Sequence, residues 1–196
     1  MTLFLLCVFA YIVGSIPFGL VLTKAAGLGD IRAIGSGNIG ATNVLRTGNK
    51  PLAAATLLLD ALKGTLVVLF VRAYGHNGVF LSALSVFLGH LYPFWLRFKG
   101  GKGVATGLGV FFGVCWPVGA VCCAVWLVVA LLLRWSSVAA LAAFAVAPVA
   151  SWYFQSWKTT LLAVIIAGFV YWKHRANISR LQAGTEPRIG KKALPP

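Results

Sequence analysis

Long apolar runs divided by short polar segments set the pattern of this chain. The first run, residues 2–24, carries Gly14, Ser15 and Pro17, which predict a kink or a close approach by a neighbouring helix. Residues 30–50 are polar and cannot cross lipid. Pro51 then stands at a predicted helix N1 position and opens a run to Tyr74, with Arg72 near its end. A third run covers 79–97 and finishes in Tyr92, Pro93, Phe94 and Trp95, side chains suited to a membrane interface. Two further runs, 137–154 and 158–173, complete the series.

Between them, the run from Ala105 to Leu133 is long for one helix across a hydrocarbon core of about 30 Å and short for two. One pass would put the basic tail, with Lys173, Arg175, Arg180, Arg188, Lys191 and Lys192, opposite the glycine-rich segments. Two passes, 104–115 and 117–134 broken at Trp116-Pro117, put all of these and Arg134 on one side, as the positive-inside rule favours. The expected fold is an all-α polytopic integral membrane protein of about seven transmembrane helices, some of them short. Its glycine-rich loops and C-terminus face the cytoplasm and form the site, and its N-terminus lies outside. Residues 1–188 make a single domain and 189–196 a basic tail near anionic lipid.

Composition agrees with this picture: 60% hydrophobic and 10% charged residues, with a mean hydropathy of +0.90, exclude a soluble globular domain. The first run lacks a basic n-region and a small-residue cleavage site, so it reads as a retained span rather than a signal peptide. Net charge is +14, with Asp30, Asp60 and Glu186 the only acids. The basic residues sit in short loops and the tail, where topology and anionic lipids or substrates account for them without nucleic acid. Three carboxylates argue against a magnesium or calcium site, and no cofactor or metal is expected. Cys7, Cys115, Cys122 and Cys123 fall in apolar stretches and read as small hydrophobes rather than disulfides or zinc ligands.

The polar segments carry the chemistry. In residues 30–50, Gly35, Gly37, Gly40 and Gly48 are interleaved with Ser36, Asn38, Thr42, Asn43, Arg32 and Arg46, a donor set that suits an oxyanion and exceeds what a linker needs. Gly100, Gly101, Lys102 and Gly103 make a second oxyanion-friendly turn. It is not a P-loop, because an apolar aromatic run stands where the first glycine should be and Gly103 follows Lys102 in place of Ser or Thr. Asp60 and Lys63, three apart in an apolar helix, share a face and neutralise each other, either as a structural pair or as part of a site. His90 is either a packing or a site residue, and His76, on the opposite side, is incidental. With the loops on one face, Arg46, Lys102 and either Arg134 or Arg175 would hold two phosphate-sized anions above apolar walls. An amphiphilic, phosphate-bearing substrate fits that arrangement.

GSGNIGATNVLR, DALKG, GHLYPFWLRFKGGKGVATG and HRANISRLQAGTEP, in this order over most of the chain, resemble the bacterial acyl-phosphate:glycerol-3-phosphate acyltransferases, the PlsY family. The resemblance implies transfer of a fatty acyl group from acyl phosphate to the 1-hydroxyl of glycerol 3-phosphate at the cytoplasmic side of the bacterial cell (inner) membrane. It further implies that neither acyl-CoA nor acyl carrier protein is the direct donor, and functional coupling to enzymes that make acyl phosphate and add the second acyl chain. Residue by residue, it implies phosphate binding by Ser36, Asn38 and Arg46 with backbone donors at Gly35 and Gly37, a phosphate clamp at Lys102, and orientation of glycerol 3-phosphate by Ser137, His174 and Asn177. Ser136 competes with Ser137 for that position, and Ser137 is preferred. Glu186 either bonds a site amide or fixes the tail.

The chain has no H-x-x-x-x-D pair of the kind many glycerolipid acyltransferases use. An acyl phosphate already carries a good leaving group, so electrostatic positioning takes on more of the work. The attacking hydroxyl would lose its proton to a phosphate oxygen of the donor or, failing that, to His90 or His174. The competing class is a transporter or flippase for phosphate or a phosphorylated metabolite. Against it stand the lack of internal similarity between the halves and the clustering of polar residues at one face.

Overall fold

The computed structural model of the chain describes residues 2–74 and 78–190, so His76 and the last six residues of the basic tail lie outside the described residues. The first apolar run is not one helix. It divides into α1 (Leu3–Gly14) and α2 (Phe18–Ala25), bent by 41°, because Pro17 cannot donate a helical hydrogen bond. Side chains from elsewhere satisfy the carbonyls this break frees: Trp95 Nε1 donates to Ser15 O at 2.6 Å and Lys63 Nζ to Ile16 O at 2.8 Å. The polar segment that follows holds only short turns and the single-turn helix α3 (Ala41–Val44).

Asn49 then caps α4 (Lys50–Ala73), its side chain accepting from the Leu52 N–H at 3.0 Å. Pro51 is therefore the second helical residue rather than the first. Helix α5 (Val79–Leu91) continues into a short 3-10 turn at Phe94–Leu96. The run after the second glycine turn divides into α6 (Val104–Val114) and α7 (Trp116–Leu133), with the extended Cys115 between them. Helices α8 (Ser136–Phe154), α9 (Trp157–Lys173) and the short polar α10 (Arg175–Gln182) complete the chain.

Small residues decide how closely these helices pack. A Cβ on Gly109 would overlap the Ala61 carbonyl, and one on Gly64 would sit 2.6 Å from Thr106 O, so α4 and α6 touch backbone to backbone. Thr65 Oγ1 reinforces the contact by donating to Gly109 O at 2.8 Å. At the far end Arg72 donates to the free Gly113 and Val114 carbonyls at 2.9 and 3.2 Å, which gives this cation a place at the C-terminus of α6. Gly14 and Gly89 make a similar contact between α1 and α5. Alanines at 139, 140, 143, 147 and 163 do the same for α8 and its neighbours, around a centre of Phe87, Phe111 and Phe144. The outer faces are apolar as well, Leu131 being 78% and Leu132 75% exposed, as lipid contact requires.

Among the described residues, four helices can each cross a bilayer by length and composition, or five if α1 and α2 count as one bent span. The sequence reading of about seven spans is thus not reached on length alone. Helix α6, with 11 residues, extends only about 16 Å, and α9, with 17, about 25 Å. An expected result follows from the α4–α6 contact. Gly109→Leu must push these backbones apart and should lower stability by about 1–3 kcal/mol, read as an earlier unfolding transition in detergent.

Candidate active site

One end of the bundle gathers the polar segments. Residues from 36–46, 102–105, 136–137 and 174–189 line a single cavity of about 380 Å³, within the usual range for a small-molecule site. Its floor and sides are apolar: Ala53, Ala54 and Leu57 of α4, Leu108 of α6, and Cys123, Trp126 and Leu127 of α7.

The first glycine segment is organised by Asn43, which is buried. Its Nδ2 donates to the Ile31 and Ile34 carbonyls, each at 2.9 Å, and its Oδ1 accepts from Ser36 N–H at 3.2 Å and Arg46 Nη1 at 3.0 Å. Gly35, at φ +59°, leaves room for this, since a Cβ there would meet both Asn43 Oδ1 and the Arg46 guanidinium at 2.6 Å. Ser36, Asn38 and Arg46 line the cavity, whereas the Gly37 N–H is engaged by Ile34 O at 3.1 Å. The second glycine turn differs from its reading as a backbone cradle. Gly100 and Gly101 donate back to the Leu91 and His90 carbonyls at 3.2 and 3.0 Å, so this turn positions Lys102 instead of presenting its own amides.

The free backbone donors come from a source that composition does not reveal. Val104 and Ala105 open α6, Ser136 and Ser137 open α8, and all four line the cavity. The first helical N–H bonds are those of Gly107 to Gly103 O and Ala139 to Trp135 O, which leaves the preceding amides without a helical acceptor and the positive ends of two helices at the cavity. A break predicted at either helix start, together with the one-face topology, was the available signal.

Lys102 Nζ donates to Asn177 Oδ1 at 2.5 Å, and Asn177 Nδ2 to Glu186 Oε1 at 2.6 Å. Ser137 Oγ donates to the same Glu186 oxygen at 2.7 Å, while Arg180 Nε reaches Oε2 at 2.8 Å. Glu186 thus accepts from both Asn177 and Ser137 on one oxygen and from Arg180 on the other, and Ser137 rather than Ser136 is its hydroxyl partner. Arg134 and Arg175 do not line the cavity. Arg134 exchanges backbone and side-chain bonds with Ile189, and Arg175 lies over the Trp172 ring at 4.7 Å. Lys50 on the cavity wall and Arg180 behind Glu186 supply the extra positive charge instead.

Burial, the largest influence, draws Lys102 down to about 8; Glu186 opposes this, and Arg180 and Arg46 add to it. His174 is drawn to about 4, first by burial and then by Lys102, and is neutral at physiological pH. Its Nδ1 lies 2.8 Å from Val170 O; a carbonyl only accepts, so Nδ1 carries the proton and Nε2 is an acceptor. For Glu186, burial pushes the pKa up, but the bonds from Asn177, Ser137 and Arg180 prevail and hold it below its ordinary value.

A lysine is charged below its pKa and neutral above it. If the Lys102 cation binds phosphate, kcat/KM should stay level from about pH 6 to 7 and fall as pH rises through about 8, with no inflection from His174 in that window. A pH series at subsaturating donor checks this.

Asp60 and His90 also line the cavity. Lys63 Nζ donates to Asp60 Oδ1 at 2.6 Å, as the i, i+3 spacing predicted, and lies 3.0 Å from His90 Nδ1.

An all-helical membrane bundle whose cationic, hydroxyl-rich cavity opens onto apolar walls defines an enzyme or carrier for a phosphorylated amphiphile. The sequence profile of the glycerol-3-phosphate acyltransferases matches residues 4–184, and the chain belongs to that family. It is 58% identical over 190 residues to the glycerol-3-phosphate acyltransferase of Mesorhizobium japonicum, covering 97% of each chain. To that of Brucella ovis it is 57% identical over 185 residues, covering 94% of this chain and 92% of the relative. The fold superposes on crystal structures of PlsY (YgiH), an integral membrane glycerol 3-phosphate acyltransferase. For the glycerol 3-phosphate form the TM-score is 0.90 at 39% identity, with 96% of each chain covered. For the lysophosphatidic acid form it is 0.86 at 37% identity, with 96% and 95% covered.

Proposed function

We propose that this cavity is the acyl-transfer site and that the chain crosses the membrane about seven times, with the site and C-terminus cytoplasmic and the N-terminus outside. The chain is a multi-pass membrane enzyme of bacterial phospholipid synthesis. It transfers a fatty acyl group from acyl phosphate to the 1-hydroxyl of glycerol 3-phosphate, giving lysophosphatidate and inorganic phosphate. The observation that carries the site assignment is the meeting of Arg46, Lys50 and Lys102 with an apolar wall of Leu57, Leu108 and Leu127 in one cavity. Phosphate groups take the first set and an acyl chain the second.

In this reading Ser36, Asn38 and Arg46 bind one phosphate together with the amides at the α6 and α8 starts. Lys102 clamps the leaving phosphate. Ser137, Asn177 and the Nε2 of His174 hold the glycerol, and Glu186 fixes Ser137 and Asn177 for that task. The hydroxyl oxygen bonds to the acyl carbon, the bond to phosphate breaks as the carbonyl reforms, and the departing phosphate takes the hydroxyl proton. The seven-pass reading is supported by the α6–α7 hairpin, which begins and ends at the cavity, so the chain goes out and returns between Gly103 and Ser136. A short α6 suits a locally thinned bilayer.

The first experiment is phosphate release by purified protein given palmitoyl phosphate and glycerol 3-phosphate. Release that needs both substrates, with acyl-CoA and acyl carrier protein silent as donors, is the expected result. Silence with every donor would leave the transporter reading standing.

A further inference from the structure

The three protons of the Lys63 ammonium each have a partner: Asp60 Oδ1 at 2.6 Å, Ile16 O at 2.8 Å and His90 Nδ1 at 3.0 Å. Two of these groups can only accept from it, and an ammonium has no lone pair to offer the third. His90 Nδ1 is therefore an acceptor, and the proton of the neutral imidazole stands on Nε2. Asp60 Oδ1 is 3.6 Å from Nδ1, too far to compete for that role. His174 holds the opposite tautomer, so the two histidines on this cavity are not equivalent.

His90 is 4% exposed, lines the cavity, and its Nε2 has no hydrogen-bond partner among the described residues. That nitrogen sits against Gly101, where a Cβ would overlap it, and hence one residue from Lys102. An imidazole N–H on a cavity wall without a protein acceptor is free to donate to a ligand seated there. His90 shares the cavity lining with Lys102 and with the apolar Leu57 and Leu108. An acyl phosphate seated with its phosphate on Lys102 and its chain on those leucines would carry its carbonyl between the two, next to the Gly101 position that His90 Nε2 abuts.

We propose that His90 Nε2–H is the neutral donor to the acyl carbonyl oxygen, a catalytic residue that stabilises the oxyanion and not a base. This rests on the acyl-transfer reading above. As the hydroxyl oxygen bonds to the acyl carbon, the carbonyl electron pair moves onto oxygen and the Nε2–H bond to it strengthens. When the carbonyl reforms, the carbon–phosphate oxygen bond breaks and phosphate leaves with the pair and the hydroxyl proton. His90 neither gains nor loses a proton. Lys63 acts through His90 by fixing its tautomer and is a positioning residue, with Asp60 accepting from Lys63 and holding it in place.

Two measurements test this. Nitrogen-15 labelling of the histidines reads the tautomers directly: His90 should show Nε2 protonated and Nδ1 bare, unchanged between about pH 6 and 8. A proton on Nδ1, or titration within that window, would overturn the proposal. Kinetically, His90→Ala should lower kcat by about 10²–10³-fold while KM for both substrates changes little, and His90→Gln, whose amide N–H replaces Nε2–H, should recover part of it. A kcat within threefold of the parent, or a loss confined to KM, would overturn it too. Failure of the parent enzyme to use acyl phosphate at all would instead remove the underlying acyl-transfer reading, which separates the two.

Discussion

Lys102→Ala should lower kcat/KM for acyl phosphate by about 10³-fold or more while the protein still folds. The leaving phosphate carries growing negative charge as the acyl bond breaks, and a desolvated cation aimed at it is worth far more than a solvated one. Lys102 is mostly buried, so water screens it little, and among the described residues only a neutral amide oxygen, Asn177 Oδ1, accepts from it. Its removal leaves no buried carboxylate stranded, because Glu186 keeps its bonds from Ser137, Asn177 and Arg180. Lys102→Arg should not restore the rate. The Gly101 and Gly103 surroundings that admit a slender lysine stem are crowded by the His90, Phe87 and Leu91 side chains, and a planar guanidinium would place its charge elsewhere. Steady-state kinetics with unfolding midpoints measured alongside would check both variants; near-parental turnover in Lys102→Ala would remove Lys102 from the chemistry.

Hydropathy made the helices legible because lipid imposes a single rule on them, an unbroken apolar length, and the breaks at Pro17 and Cys115 fall where Pro17 and Trp116-Pro117 mark them. The count of independent spans was less legible. Helix α6 reaches only about 16 Å, so its status depends on how the bilayer meets it rather than on the residues themselves. At the site, Ser36, Asn38, Arg46, Lys102, Ser137, His174 and Asn177, drawn from separate motifs, all line one cavity.

What the motifs could not say was how each donor is already occupied. Gly37, Gly100 and Gly101 looked like a cradle, yet their amides close local turns, while the open amides belong to the unremarkable starts of α6 and α8. Arg134 and Arg175 stood as the candidates for a further phosphate-holding cation, and Arg180 did not. Only the path of the tail, which returns Ile189 to Arg134 and Glu186 to Arg180, separates them. Residue type gives the chemistry available; occupancy is a property of the folded backbone.

The buried charges make the second large effect. Asp60→Leu or Lys63→Met alone should destabilise the protein by about 3–5 kcal/mol, because each leaves its partner charged and unpaired at 2–4% exposure in the middle of the bundle. The double variant Asp60→Leu/Lys63→Met should recover most of that loss, since apolar side chains of similar volume pack where the pair stood. It stays short of the parent by about 1–3 kcal/mol because the Ile16 carbonyl at the α1–α2 break loses its donor. A double-mutant cycle on unfolding in mixed micelles reads this coupling directly. Turnover should not recover with stability: without the ammonium nothing pins the His90 proton to Nε2, so the restored fold should keep a low kcat. A stable and fully active double variant would assign the triad to architecture alone. A stable but slow one would show that these three residues occupy an expensive position in the bundle for what they do to the acyl carbonyl.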